Sequence, residues 1–427
     1  MKLNLLMGAS NVGIVEQNTH GHPELTYAPS WVASLDAVPL SLSLPLAQQV
    51  HPTQTVSAVL WGLLPDNEAT LDRWASAFQV SARNPLGILS HVGEECAGAM
   101  QFITDDRLDL VASGALDAIT PLSDEDVAAR LQRVRQDVGA TRRPDDLGQF
   151  SLAGAQAKIA LLHTEQGWAL PSGRIPTTHI LKPPSGDFRG YVENEMFCLA
   201  LAREMDLSTA NSSRLQIGTE SAICVERYDR YQVDGQWFRL HQEDFCQALG
   251  IRPHLKYQNQ GGPGPADLGN VLWQHSGNPT EDVQRLFDAL AFNYFIGGTD
   301  AHAKNYSLLI DSGGHTRLAP LYDISSALAY PELDVRAIRM AMRIGSHYNW
   351  WDIRLNDWVT LSEQLRLDPS DCLKRMTLMA YQLPAEASDV HQLMEQQGTA
   401  HEILHSLVEQ IHISCERFIR KVQAAAT

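Results

Sequence analysis

The sequence predicts an α+β chain of two lobes, with an added mixed subdomain at its N-terminus and a helical lobe at its C-terminus. Three observations carry this. Strand-like and helix-like runs mix within the first hundred residues, a strand-rich stretch begins at Phe150, and helical periodicity dominates beyond Gln242. The 427 residues exceed what one core normally serves, and 44% are hydrophobic, enough for a sizeable interior. We divide the chain into an N-terminal subdomain at 1–140, a strand-rich lobe with one helix at 141–241, and a helical lobe at 242–427.

Each element has a local reason. Leu3–Met7 and Val12–Glu16 flank a GASN turn and predict a hairpin. Helical patterns follow at Ala69–Phe78, after the turn segment LLPDNE, and at Asn84–Cys96. Ala140–Gln149, with TRRPDDLGQ, is a polar connector that reads as a boundary. Strands are expected at Lys158–His163, Trp168–Leu170, Thr178–Lys182, Ala222–Tyr228 and Trp237–His241, the third stopped by Pro183 and Pro184. Between them Glu193–Met205 carries apolar residues at 196, 197, 199, 200 and 201 and predicts an amphipathic helix. Helices are expected at Gln242–Leu249, Glu281–Ile296, Val359–Leu365, Cys372–Gln382 and Ala400–Ala426, interrupted by a Gly/Pro-rich loop, Gly261–Ala266.

Composition narrows the function. With 33 basic against 50 acidic residues the formal charge is -17, which argues against a generic basic surface for nucleic acid. The six cysteines form no CxxC pair, and several lie in apolar runs, so reduced buried thiols are expected rather than a disulfide frame or zinc site. The N-terminal MKLNLLMGASNVGIVEQ lacks a long apolar core, and no stretch is as long as a membrane span. A cytoplasmic protein without membrane contact is expected.

Four segments carry chemistry. In Phe292–Leu309 (FNYFIGGTDAHAKNYSLL) a helix ends at a Gly pair, Asp300 and Asn305 follow five residues apart, and an apolar strand begins. Phosphoryl transfer needs a carboxylate near the attacking hydroxyl and oxygen ligands for magnesium, and a catalytic loop of protein-kinase type supplies both at this spacing. Taken alone, the pair equally fits a loop whose polar side chains cap backbone groups. Downstream, LAPLYDISS places Asp323 after a short apolar strand, as a second oxygen ligand. It holds the place of the DFG aspartate, with Ile324 for Phe and Ser325 for Gly; the bland alternative is an Asp capping a helix. Lys182 closes an apolar strand, and Glu195 lies thirteen residues on, the arrangement of a phosphate-binding lysine and its ion-pair partner. A solvent-facing strand-edge lysine is the other reading. Finally SLAGAQAK, Ser151–Lys158, sets small residues before a strand, where backbone amides can cradle phosphate, although GxxxxGK[ST] is absent.

Together SLAGAQAK, HILKPP, VENEMFCLALA, VERYDR, LHQEDFCQALG, GTDAHAKNYSLL and LAPLYDIS resemble, in order and separation, the signature segments of HipA-type kinases. GLLPDNEA and ILSHVGEECAGAMQF resemble the N-terminal subdomain of that family's long form, so the resemblance spans roughly Met1 through Pro331. It implies a two-lobed protein-kinase-like fold and a serine/threonine protein kinase toxin that uses ATP and Mg2+. It further implies Asp300 as catalytic base, Asn305 and Asp323 as metal ligands, and Lys182 on the nucleotide phosphates. Ala153, Gly154, Ala155, Gln156, Ala157 and Lys158 would form the phosphate-covering loop, and Glu226, Arg227 and Tyr228 the adenine-contacting linker, through backbone groups. His302, Lys304 and Tyr322 would also lie at the nucleotide, His302 and Lys304 touching phosphate or orienting Asp300. Ser151 matches a regulatory serine whose autophosphorylation expels the phosphate loop, an effect that about -2 of added charge beside ATP makes reasonable. Capping of a turn is the plainer role for Ser151. Ala157 and Pro184 depart from the family pattern without touching a catalytic role.

The implied partners are a small helix-turn-helix antitoxin, operator DNA contacted mainly through it, and a protein substrate among translation components, an aminoacyl-tRNA synthetase. Two other readings stay open: a non-catalytic subunit of a repressor complex, against which the filled catalytic positions argue, and a small-molecule kinase on a related scaffold.

Overall fold

The computed structural model describes residues 1–136, 154, 156–184 and 188–425; the connector 140–149 and Ser151, Ala153 and Ala155 lie outside the described residues. The chain forms two compact units, one of Met1–Ser185, Leu215–His254 and Leu308–Thr316, the other of Gly186–Arg214, Leu255–Ser307 and Arg317–Thr427. Helices and strands mix as the sequence predicts.

The first unit is built around two larger sheets. Lys2–Met7 and Ser10–Gln17 form the expected hairpin, and Met100–Ile103 and Pro23–Tyr27 pair on either side. Leu3, Leu5, Val12, Val15 and Leu25 share one buried core with residues of the helices Thr53–Gly62, Glu68–Phe78 and Pro85–Val92. The side chains of Asn67 and Asn84 cap the last two helices by accepting from Thr70 N and Gly87 N. The helix expected to reach Cys96 stops at Val92, where a Cβ on Gly93 would stand 2.7 Å from that of Phe102.

In the second sheet Ala118–Pro121, Gly167–Ser172, Ile159–Thr164, His179–Lys182 and Glu220–Glu226 run as neighbours, all antiparallel. Period-two alternation turns Ile159, Leu161, Leu181, Ala222 and Cys224 onto Val127, Leu131 and Val134 of the helix Asp124–Gln136. Two expectations shift here. The strand expected through Tyr228 ends at Glu226, and the helix expected from Gln242 is a strand, His241–Asp244, followed by one turn, Phe245–Ala248. Asp244 and Gln247 cap that turn reciprocally, which is why the backbone changes there.

The second unit is mainly helical: Tyr191–Glu204, Pro265–His275, Pro279–Ile296, Leu355–Gln364, Pro369–Gln396 and Ile403–Ala425. The helix expected to end at Gln382 runs on through Pro384. Leu383 before it and Ala387, Val390 and Met394 beyond it are buried, and that packing outweighs the lost backbone N–H. The Pro384 carbonyl accepts from His412 Nε2 of the terminal helix at 2.9 Å. All six cysteines are buried and none forms a disulfide, and no described helix is long and apolar enough to cross a membrane.

Candidate active site

The first unit contributes the loop and strand residues. Gly154 has φ +104, and a Cβ there would stand 2.7 Å from Lys158 Nζ, so the lysine ammonium lies against a backbone that only glycine leaves open. The Gly154 carbonyl accepts from Asp66 N at 3.2 Å, which ties Gly154 to the LLPDNE turn. The amide oxygen and nitrogen of Gln156 are both buried without a hydrogen-bond partner. Buried polar atoms seldom lack partners, so this amide fits a polar ligand beside the loop. Lys158 and Lys182 are both buried, Lys182 at the end of its strand opposite Ile223.

The expected linker is built differently from its neighbours. Arg227 N donates to Thr178 O at 2.9 Å and its carbonyl accepts from Arg230 N. Its guanidinium turns inward, donating to Glu95 and Asp229, each at 2.9 Å. Arg230 and Arg239 also reach Glu95, and Thr177 Oγ1 donates to it at 2.8 Å. Burial alone would raise the Glu95 carboxyl, but Arg239, Arg230 and Arg227 outweigh it and hold the group well below the usual carboxylate range. Glu95 was not singled out from sequence; an acidic pair in VGEEC, ahead of the arginines of VERYDR, was the available signal.

The second unit contributes the loop that follows the helix Pro279–Ile296. Gly297 ends that helix in the left-handed region, and a Cβ there would meet Leu328 at 2.4 Å. Gly298 lies against the Asn293 side chain, where a Cβ would stand 2.1 Å from Oδ1, so both glycines of the pair are required. The loop then folds on itself: His302 N donates to Asp300 O, Asn305 N to His302 O, and Asn305 Nδ2 to Asp300 O at 2.8 Å. Asn305 thereby spends its nitrogen on the loop and can offer its oxygen to a cation. The Asp300 side chain is 58% exposed, and its Oδ1 accepts from the Tyr257 hydroxyl at 2.6 Å.

His302 is buried beneath this carboxylate, its Nε2 3.9 Å from Asp300 Oδ1 and its Nδ1 without a hydrogen-bond partner. Burial pushes its imidazole below the ordinary histidine value, partly opposed by Asp300, so it is neutral at pH 7.

Tyr322 joins the two metal-ligand candidates. Its hydroxyl donates to Lys304 O at 2.7 Å and accepts from Ser307 Oγ at 2.6 Å, so the segment carrying Asp323 is fastened beside the loop carrying Asn305. Leu321 is pinned by Ser208 and Ala210, its N donating to Ser208 O and its O accepting from Ala210 N, each at 2.8 Å. Asp323 itself has φ +56, a conformation rare for a residue with a side chain and concentrated at functional sites.

Two further residues, missed from sequence, hold this segment. Asn194 is fully buried, donates to Ser326 O at 2.8 Å and accepts from Ser326 N at 2.9 Å. Its position on the apolar face with Phe197, Cys198 and Leu201 was the signal. Asp282 accepts from Arg285, Arg317, Ser276 and Leu318 N, fixing the start of LAPLYD. Glu195 is 1% exposed on the same helix as Asn194; it and Lys182 fall in different units.

Asn305 and Asp323 supply hard oxygen donors, which fit magnesium. Among the described residues no three His, Cys, Asp or Glu side chains form a metal cage. Magnesium with a triphosphate needs only one or two protein oxygens. Within the second unit, an exposed carboxylate and two hard donors on stitched segments suit phosphoryl transfer.

Known proteins agree. Residues 150–387 match the HipA-like C-terminal domain and residues 3–103 the HipA N-terminal domain. The chain is 37% identical to Y4mE of Sinorhizobium fredii over 85% of each protein. It is 28% identical to the serine/threonine-protein kinase toxin HipA of Shewanella oneidensis, over 85% of this chain and 83% of that one. Among solved structures, a chain of the Shewanella oneidensis MR-1 HipA, HipB and operator DNA complex superposes with a TM-score of 0.83 at 25% identity, over 99% of this chain and 98% of that one. Two matched domains covering most of the sequence and a shared fold along its whole length place this chain in the HipA family of protein kinases.

Proposed function

We propose that the chain is the kinase toxin of a bacterial type II toxin–antitoxin system, working in the cytoplasm. It transfers the γ-phosphate of ATP to a serine or threonine of a translation component, an aminoacyl-tRNA synthetase, and is silenced by autophosphorylation of Ser151. The observation that supports this most is the stitching of Asp323 to the Asp300–Asn305 loop through Tyr322, which gathers a base and two oxygen donors on linked backbone.

In this reading Asp300 accepts the proton of the acceptor hydroxyl, for which its exposure suits it. Asn305 and Asp323 hold magnesium, which when bound neutralises phosphate charge. Lys158, Lys182 and the Gln156 amide bind phosphate, and Glu226–Tyr228 meet the base through backbone. Neutral His302 can hydrogen-bond through its unused Nδ1. A helix-turn-helix antitoxin is the protein partner, and operator DNA is met mainly through it. The charge of -17 favours leaving most phosphate contacts to that partner, and the solved complex of the similar protein brings HipA, HipB and operator DNA together.

Intact mass after incubation with MgATP, on protein first treated with phosphatase, tests this. The wild type gains one phosphate, and Asp300→Asn and Ser151→Ala gain none. Gain in Ser151→Ala moves the regulatory site. No gain in any form, with no ATP binding by calorimetry, refutes the kinase chemistry and favours a non-catalytic repressor subunit.

A further inference from the structure

The Gly/Pro-rich stretch that follows residue 255 has no part in the reading above, yet its backbone is held at several points. Gln260 N and Gly262 N both donate to Tyr257 O, at 3.0 and 3.1 Å, and Gly261 closes the turn with φ +93. A Cβ on Gly262 would stand 1.9 Å from Leu255 O, so the strand of chain bearing Tyr257 and the glycine run lie in backbone contact. Gln258 accepts from Arg343 N at 2.7 Å, and Asp267 accepts from Gly264 N at 2.8 Å. The result is a turn braced by hydrogen bonds, from which a side chain reaches the Asp300 carboxylate.

That side chain is Tyr257. Its ring meets the edge of buried His302 at 5.0 Å, Lys256 Nζ lies 5.5 Å from its centroid, and its hydroxyl donates to Asp300 Oδ1 at 2.6 Å. Asp300 needs such a partner. Asn305 holds only its main-chain carbonyl, and a largely exposed carboxylate is otherwise free to rotate among rotamers. A carboxylate has sites for several donors, so one oxygen can be held while the other serves an acceptor hydroxyl. We propose that Tyr257, mounted on the 255–264 turn, is the positioning residue that sets the orientation of the Asp300 carboxylate for phosphoryl transfer. This rests on the kinase reading above, with Asp300 as base.

Tyr257→Phe keeps the ring against His302 and removes only the hydroxyl. The assay is first-turnover phosphate incorporation into the phosphatase-treated full chain, followed by intact mass across a MgATP series. The expected result is a fall on the order of 10–100-fold in the rate at saturating MgATP. The half-saturating MgATP concentration and the melting temperature stay unchanged. A merely structural tyrosine would instead alter melting or leave the rate alone. Equal rates in wild type and Tyr257→Phe overturn the inference while leaving the kinase reading intact, and a faster variant overturns it by making the hydroxyl a brake. A wild type that incorporates no phosphate overturns the kinase reading and this inference with it.

Discussion

Replacing Glu95 by alanine empties the centre of a buried ionic cluster. Glu95 accepts from Arg227 Nη1 and Arg230 Nη2 at 2.9 Å, from Nε and Nη2 of Arg239, and from Thr177 Oγ1 at 2.8 Å. Three guanidinium groups face two carboxylates, Glu95 and Asp229, and every one of these side chains is at least nine-tenths buried. Without Glu95 a single carboxylate remains among three buried cations, and Arg239 keeps only the Arg174 carbonyl. Breaking one partner of a buried pair costs about 3–5 kcal/mol, because the remaining charges stay desolvated. For a unit of this size that corresponds to a fall of roughly 10 °C in melting temperature.

The same group gives the pH dependence its sign. Its folded carboxyl is held below the usual range, so its stabilisation is complete above the unfolded value, about 4.3, and is lost as pH falls below that. Thermal melts of wild type and Glu95→Ala from pH 7 to pH 3 should therefore differ most at pH 7 and converge on acidification. A variant melting within about 2 °C of wild type at pH 7, or a gap that widens in acid, would refute the argument.

Two substitutions probe the second unit. Asp323→Asn keeps a residue that tolerates positive φ, so melting should be unchanged, while magnesium-dependent ATP binding by calorimetry weakens at least about tenfold; equal binding with and without magnesium in the wild type would remove Asp323 from the metal. Gly262→Ala forces a methyl against Leu255 O, so it should lower both melting temperature and phosphate incorporation, and normal values of both would show that the turn yields.

Much of the element order, and the segments that carry the candidate residues, could be read from local signals. The apolar run Lys158–His163 marked the strand Ile159–Thr164 within one residue of each end. The Gly pair after Ile296 announced both the end of a helix and the loop with Asp300 and Asn305. Where local signals compete with packing, the tertiary structure decided. The helix expected to end at Gln382 passes through Pro384, and a buried face beyond it keeps the helix going. The sequence from Gln242 has helical spacing, yet its first three residues pair as a strand. The helix Pro265–His275 was hidden by the glycines and prolines before it, although Pro265 is a favoured first helical residue.

Most of all, the supporting contacts were not legible. Tyr257 reaches Asp300 across 43 residues, Asn194 reaches Ser326 across 132, and Arg227 reaches Glu95 across 132. A residue's type and spacing report what it can do chemically. Which partner it meets at such separations is fixed only when the chain closes on itself, because burial then leaves each polar group only the neighbours that packing brings within reach.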